Sequence, residues 1–384
     1  KLNLPAVVVY DLCVKEDDVI IATHGRSMWS LDNISALRTL TPETLKQAVH
    51  LFPVQPVTRI TREVYKLDSL LSLYTAYVAP NPPNGAIVDY YLRETPAGDV
   101  QIELINAAGE VVQQFTSQPP PEAAPRPVGA LAYKLAGGSR LRGKIRGEEV
   151  LGLKWGALTL PPEPAAQVPT QPGINRFVVP ITAPGAEITP GLQGWVTPAA
   201  LVPGTYTIRL TVGAQVYAAP LVIEKDPRVN TSVAEYQAQY DLLIRIRDRV
   251  NDLHRAIARL YRLRTQLEDR ARYFASNSEL DLRCGALIAA LTAIENQLIQ
   301  PDLNENSGEL DGTHFPDRVD GKLQALSYQV ARSDNAPTQQ AFDLWNVLEA
   351  QVSVQEARFE RLITSELAMF NALCREQDYP IVRL

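Results

Sequence analysis

The chain has 384 residues, 46% of them hydrophobic, and a formal net charge of −6. That length exceeds one ordinary domain, so two or three units with their own cores are expected. The acidic balance argues against the basic face of a nucleic-acid binder, and there is no apolar run of the roughly 18 residues that a membrane span needs. The three cysteines, Cys13, Cys284 and Cys374, form no paired framework and lack zinc-ligand spacing, so they read as buried free thiols.

The first element is the stretch from Asp18 to Asp32. It reads as two strands around a His24-Gly25 turn, with Val19, Ile20 and Ile21 before the turn and Met28, Trp29 and Leu31 after it. A lone hairpin cannot bury its faces in water. The segment is therefore expected to belong to a larger sheet, and since no sheet is read upstream, the chain is expected to begin inside a domain whose earlier part is missing. Asp11-Leu12-Cys13-Val14, with Ala22-Thr23-His24-Gly25-Arg26 and Trp29-Ser30-Leu31-Asp32, resembles the strands that close the last blade in bacterial sortilin-like, BNR-repeat β-propeller proteins. Ser27 stands where that family has a second glycine. The resemblance implies that residues 1–40 are a blade remnant and that the partner is the missing propeller portion or another protein chain. It also implies an extracytoplasmic location: periplasmic, cell-surface or secreted. Val19, Ile21 and Trp29 are the candidate interface residues of this segment.

Residues 41–81 read as a connector. Thr41 as N-cap and Pro42 at the first helical position open a short helix to about Val49, and Leu51-Phe52-Pro53-Val54 follows as an extended piece. Residues 82–228 read as an immunoglobulin-like β-sandwich. Strands are expected at residues 86–93, 100–105, 111–115 and 175–181, then a hairpin over 205–223 that turns at Gly213-Ala214. A long proline-rich insertion, residues 117–173, interrupts it and carries Arg140, Arg142, Lys144 and Arg146. This basic run is either a solvated turn or a contact site for an acidic partner. Trp155 and Trp195 read as core or loop anchors rather than sugar-stacking platforms. The propeller family has an Ig-like domain at this place too, with a similar Asn-Pro-Pro-x-Gly-Ala start at residues 81–86.

Residues 229–384 read as helices with apolar residues three and four apart. Tyr236, Leu243, Ile246, Val250, Leu253, Ile257, Leu260 and Leu267 form the seam of a first helix about 60 Å long. Cys284, Leu287, Leu291, Ile294 and Leu298 mark a second helix, and Val319, Leu323, Leu326 and Val330 a third. Trp345, Leu348, Val352, Phe359, Leu362, Met369 and Leu373 mark a fourth, with Gln355 and Glu366 interrupting its seam. Two long and two short helices suggest an antiparallel four-helix bundle or coiled coil with the path out, halfway back, out again and fully back. Cys284 and Cys374 then fall at opposite ends. An unburied stripe on such a bundle is a possible oligomer contact. The segments His314 to Leu323 and Asp334 to Thr338 also resemble the tail of the propeller family, with Asp320-Gly321 in place of its Asn-Asn.

No catalytic constellation emerges. The four histidines, His24, His50, His254 and His314, have no metal-ligand spacing, and His24, although near Arg26 and Asp32, sits in a structural turn. The propeller family is often described as glycosyl hydrolase, but this chain has no Asp box, no phosphate loop, no G-x-S-x-G and no central funnel for paired carboxylates. The expectation is a non-enzymatic structural or interaction module of an exported propeller protein, with no cofactor and no metal, that spaces and presents the propeller or a partner. Two alternatives stand beside it: an accessory tail of a propeller glycosidase whose active site lies outside this chain, and a subunit joined to its assembly by strand addition.

Overall fold

The computed structural model describes residues 4–60, 83–119, 167–189, 196–276, 278–300 and 316–383. The chain mixes β and α structure and forms two compact units. One comprises Lys1–Glu122, Glu163–Pro184 and Ala200–Val233, and the other Ala123–Pro162, Gly185–Ala199 and Ala234–Leu384.

The first unit holds eleven described strands in three sheets. β1 (Val9–Lys15), β2 (Asp18–Thr23) and β3 (Met28–Leu31) form an antiparallel sheet in that order. The expected hairpin is thus the last two strands of three, and β1 contains the upstream Asp11-Leu12-Cys13-Val14. A second sheet has the order β4 (Val49–Leu51), β6 (Gly85–Leu92), β9 (Gly173–Pro180). The third has the order β5 (Val57–Arg59), β11 (Gln215–Lys225), β10 (Gly204–Val212), β7 (Val100–Ile105), β8 (Val111–Thr116). All pairs in it are antiparallel except β5 with β11.

Alternation explains the core of these two sheets. Ile208, Leu210 and Val212 of β10 are buried on the same face as Ile102 and Leu104 of β7 and Leu221 and Ile223 of β11. Val88 and Tyr90 of β6 with Phe177 and Val179 of β9 line the other sheet. The rings of Phe115 and Phe177 meet between the sheets at 5.0 Å. Gly213 takes φ +58°, which the two-residue turn between β10 and β11 requires. Gly85 is needed for a different reason: a Cβ there would lie 2.6 Å from the carbonyl oxygen of Val179 on the neighbouring strand.

The connector differs from its expectation. The helix opened by Thr41 is a single 3-10 turn, Thr44–Lys46, because Gln47 already returns to extended backbone and carries Val49 into pairing with Leu92. Thr41 Oγ1 still accepts from the Thr44 amide at 3.2 Å. A one-turn helix, α1 (Ser35–Thr39), precedes it. Most of the expected insertion, residues 120–166, lies outside the described residues, and with it Arg140, Arg142, Lys144, Arg146 and Trp155.

The second unit is helical: α2 (Val233–Ala271), α3 (Glu279–Leu298), α4 (Val319–Ala331), α5 (Gln339–Arg361), a π-helical segment (Leu362–Leu367) and α6 (Ala368–Glu376). Every residue of the expected seams on α2, α3 and α4 is buried. Ser278 caps α3 and Thr338 caps α5 by accepting an amide of the first turn. The buried Gln239 of α2 donates to the carbonyls of Val330, 2.8 Å away, and Ser333, 2.6 Å away, satisfying the end of α4.

The expected helix path is corrected. The Cys284 thiol of α3 meets the carbonyl of Leu267 on α2. Arg264 of α2 pairs with Glu295 of α3. His254 of α2 faces Asp320 of α4 and Gln239 faces Val330. Positions on α3 and α4 therefore both advance as positions on α2 recede, so α4 continues the direction of α3 instead of reversing it. Arg249 pairs with Glu356, Arg259 with Glu360, and Arg270 donates to the Pro380 carbonyl, so α5 and α6 run parallel to α2. Length explains this: 20 plus 13 residues give about 50 Å, close to the roughly 58 Å of the 39-residue α2. The two short helices together make one pass beside α2. Cys284 and Cys374 consequently share one end of the unit, both buried and unbonded.

The fourth seam is corrected in its last third. The π segment adds one residue to the turn, so the seam steps from Leu362 to Leu367 and then to Phe370 and Cys374, all buried. Met369, expected on the seam, is 51% exposed, and Glu366 is exposed rather than a core interruption.

Candidate interaction site

Strand register places the sequence-selected residues of the N-terminal sheet on one face. Leu12 pairs with Ile21 and Ile21 with Trp29, while Val14 pairs with Val19 and Val19 with Leu31. Two rungs of three apolar side chains thus run across the sheet. Val19, Ile21, Trp29 and Leu31 are half-buried, whereas Leu12 and Val14 on the edge strand are 55% and 51% exposed. β1 is exposed along its whole length, and its outer backbone edge is unpaired among the described residues. Tyr10 and Met28 add exposed apolar surface, at 70% and 73%.

Local chemistry holds the strands in this register. β2 and β3 are joined by four residues, His24 to Ser27, rather than by a two-residue turn; Gly25 at φ +73° and Ser27 at φ +63° occupy left-handed positions. Ser27 therefore holds a left-handed position with strain that glycine would avoid. The Thr23 amide donates to the Ser27 carbonyl at 3.3 Å, and Trp29 Nε1 donates to the Arg26 carbonyl at 2.8 Å. His24 is exposed and lies edge-on to Tyr10, with ring centroids 5.0 Å apart, while Asp32 accepts from Ser30. His24 and Asp32 are thus each engaged in bracing the sheet.

An arginine clamp joins this sheet to the rest of its unit. Arg176 on β9 binds Asp89 on β6 with two nitrogens, at 2.8 and 3.0 Å. The same guanidinium donates to the carbonyls of Asp32 at 2.7 Å and Asn33 at 2.6 Å, just past β3. Asn33, at φ +50°, turns its carbonyl toward the clamp. The planar fork of arginine suits this shared recognition of carboxylate and carbonyls. Arg38 closes the other side by pairing with Asp17 at 3.3 Å. The sequence offered no signal for Arg176, which lies 144 residues from Asp32. Leu12 and Val14 were detectable as an alternating pair.

The remaining candidates resolve as structural. His50 stacks edge-on to Phe52 and binds Gln47. His254 is buried; its Nδ1 accepts the Thr189 amide at 3.0 Å, which assigns the proton to Nε2, 3.3 Å from Asp320 Oδ1. A backbone amide thus occupies the nitrogen that a catalytic base would need; His254 fixes Thr189 against α2, and Asn251 does the same for Glu187 by accepting its amide at 2.7 Å. Trp345 is a seam residue beneath the Arg245 guanidinium, 4.9 Å from its ring centre. His314 and Trp195 lie outside the described residues. Among the described residues, no group of three or more His, Cys, Asp and Glu side chains could hold a metal ion, and no helix is long and apolar enough to cross a membrane. Comparisons of the chain with known protein families, with curated proteins and with solved structures found no match.

Proposed function

We propose that this chain is a non-enzymatic structural and interaction module whose N-terminal sheet is the closing blade of a sortilin-like, BNR-repeat type β-propeller. The observation that carries this reading is the pair of apolar rungs, Leu12–Ile21–Trp29 and Val14–Val19–Leu31, open on the β1 side. A blade needs one face and one edge covered by neighbouring strands, and this sheet has both to offer. In this reading the two sheets downstream form an Ig-like sandwich. The Tyr206 hydroxyl donates to the Val202 carbonyl at 2.9 Å, at the start of β10, in the manner of the tyrosine corner of such sandwiches. The helical unit acts as a bundle that presents a partner, and the location is extracytoplasmic by the same resemblance.

Crosslinking mass spectrometry on the protein isolated from its source tests the reading. Lys15, at the end of β1, is expected to link to β-repeat sequence outside these 384 residues, on the same polypeptide or an associated one. A native protein in which Lys15 links only within the chain sinks the blade assignment. A glycoside-cleaving activity of this chain that is lost on His24→Ala sinks the non-enzymatic one.

A further inference from the structure

We propose that α5 docks antiparallel on α5 of a second copy of this chain, through a stripe on the side opposite its buried seam. Gln340, Val347, Val354 and Arg361 recur every seven residues on α5, and Asp343, Ala350 and Ala357 follow the first three of these by three. All seven are exposed; Val347 and Val354 are 53% and 63% exposed. This is the spacing of a two-helix contact, carried on the face that the bundle leaves free.

The charge pattern selects the occupant. In an antiparallel pair, the first set of positions on one helix meets the second set on the other. One two-fold axis level with Val352 then seats Val347 against the partner subunit's Ala357, and Ala350 against the partner subunit's Val354. It also places Asp343 beside the partner subunit's Arg361, twice by symmetry. Large side chains meet small ones in the centre and opposite charges close both ends. A parallel pairing would instead set Asp343 against its own copy and Arg361 against its own. The acids of α5 that face α2 are already committed: Glu349 and Glu356 to Arg249, and Glu360 to Arg259. Asp343 and Arg361 have no ion-pair partner among the described residues.

Among the described residues, a recess lined by Gln297, Val319, Ala350 and Gln351 adjoins the centre of the stripe. About five turns of helix on each side, Asp343 to Arg361, bury less than the ~1,600 Å² of a standard interface. The association is therefore weak, with a dissociation constant on the order of ten micromolar. This inference does not depend on the blade reading, since α5 belongs to the other unit.

Sedimentation velocity of the whole chain from about 1 to 200 μM tests it. A monomer–dimer equilibrium is expected, weakened at least tenfold by Val347→Glu with an unchanged thermal midpoint. Asp343→Arg alone and Arg361→Asp alone are expected to weaken it as well, and combining them in one chain to restore it. A chain that stays monomeric throughout overturns the proposal, as does a dimer indifferent to all of these substitutions. A monomer whose midpoint falls on Val347→Glu shows that the stripe is covered within the chain, which also overturns it. Charge variants that leave a Val347-dependent dimer unchanged refute the antiparallel arrangement.

Discussion

Replacing Arg176 with alanine removes a side chain that touches both Asp89 and the residues just past β3. Two donations to the Asp32 and Asn33 carbonyls, at 2.7 and 2.6 Å, are lost with it. A hydrogen bond from a charged donor is worth about 1.5–3 kcal/mol. Arg176 is 38% exposed, so water recovers part of this. Asp89, with its side chain 4% exposed, loses its partner, which is the costlier consequence. A net loss of about 2–3 kcal/mol follows, and lysine, a point charge without the fork, is expected to recover about half. The loss is directional: it should fall on the β1–β3 sheet before it falls on β10 and β11. Hydrogen exchange reads this directly. Amides of Ile20, Ile21 and Trp29 are expected to exchange on the order of thirtyfold faster in Arg176→Ala, at ~1.4 kcal/mol per tenfold, while those of Ile208 and Leu210 change little. Wild-type exchange rates in β2 and β3, or uniform acceleration across the unit, would refute the clamp.

Three other outcomes are expected. Phe370→Ala should cost about 3–5 kcal/mol in urea unfolding, whereas Met369→Ala should stay within about 0.5 kcal/mol, the reverse of what an unbroken heptad requires. Thiol titration should find Cys13 reactive in the folded protein, and Cys284 and Cys374 only after unfolding; burial pushes the Cys284 thiol up to about 11, aided by Asp281 and Cys374, and pushes that of Cys374 up as well. Asp99 should stabilise the folded state at neutral pH. Burial acts to raise its carboxyl, but hydrogen bonds from Ser117, Thr116 and Gln101 outweigh that and hold it at about 2, below the ordinary 3.8. A group depressed on folding contributes fully above its unfolded value and loses that contribution as pH falls through its folded one. Asp99→Asn should therefore flatten the loss of urea stability between about pH 4 and pH 2; an acid profile identical to wild type argues against it.

What the sequence disclosed follows the range of each signal. Alternation along β7 and β10 and the three-four spacing along α2 report which side of one element is wet, and both are local patterns. Helix direction is not local. α4 reads equally well running out or back, and only Gln239 and His254, polar residues inside an apolar seam, mark where its ends meet α2. The π segment was hidden for a similar reason. One inserted residue leaves no mark in composition, yet it moves each later seam position by one, from Met369 to Phe370 and from Leu373 to Cys374. Glu366 was the visible trace, a charge on an apolar position that meant a shifted register rather than a polar core. In the candidate site, Val19, Ile21 and Trp29 were legible as alternation. Their grouping with Leu12 and Val14 needed the register of a strand that the short spacing of the segment concealed.

The open face and the clamp bear on function together. A ligand pocket gathers a few polar groups around an apolar cleft. On this sheet Asp32 and His24 are turned to bracing contacts, and the two rungs carry only aliphatic and indole side chains. Covering the exposed parts of Leu12 and Val14 would contribute about 1 kcal/mol each at ~25 cal/mol per Å². That gain is available only to a partner surface of fixed shape, because ordering a loose sheet on contact would consume it. Arg176 supplies the rigidity beforehand by fixing the residues that follow β3.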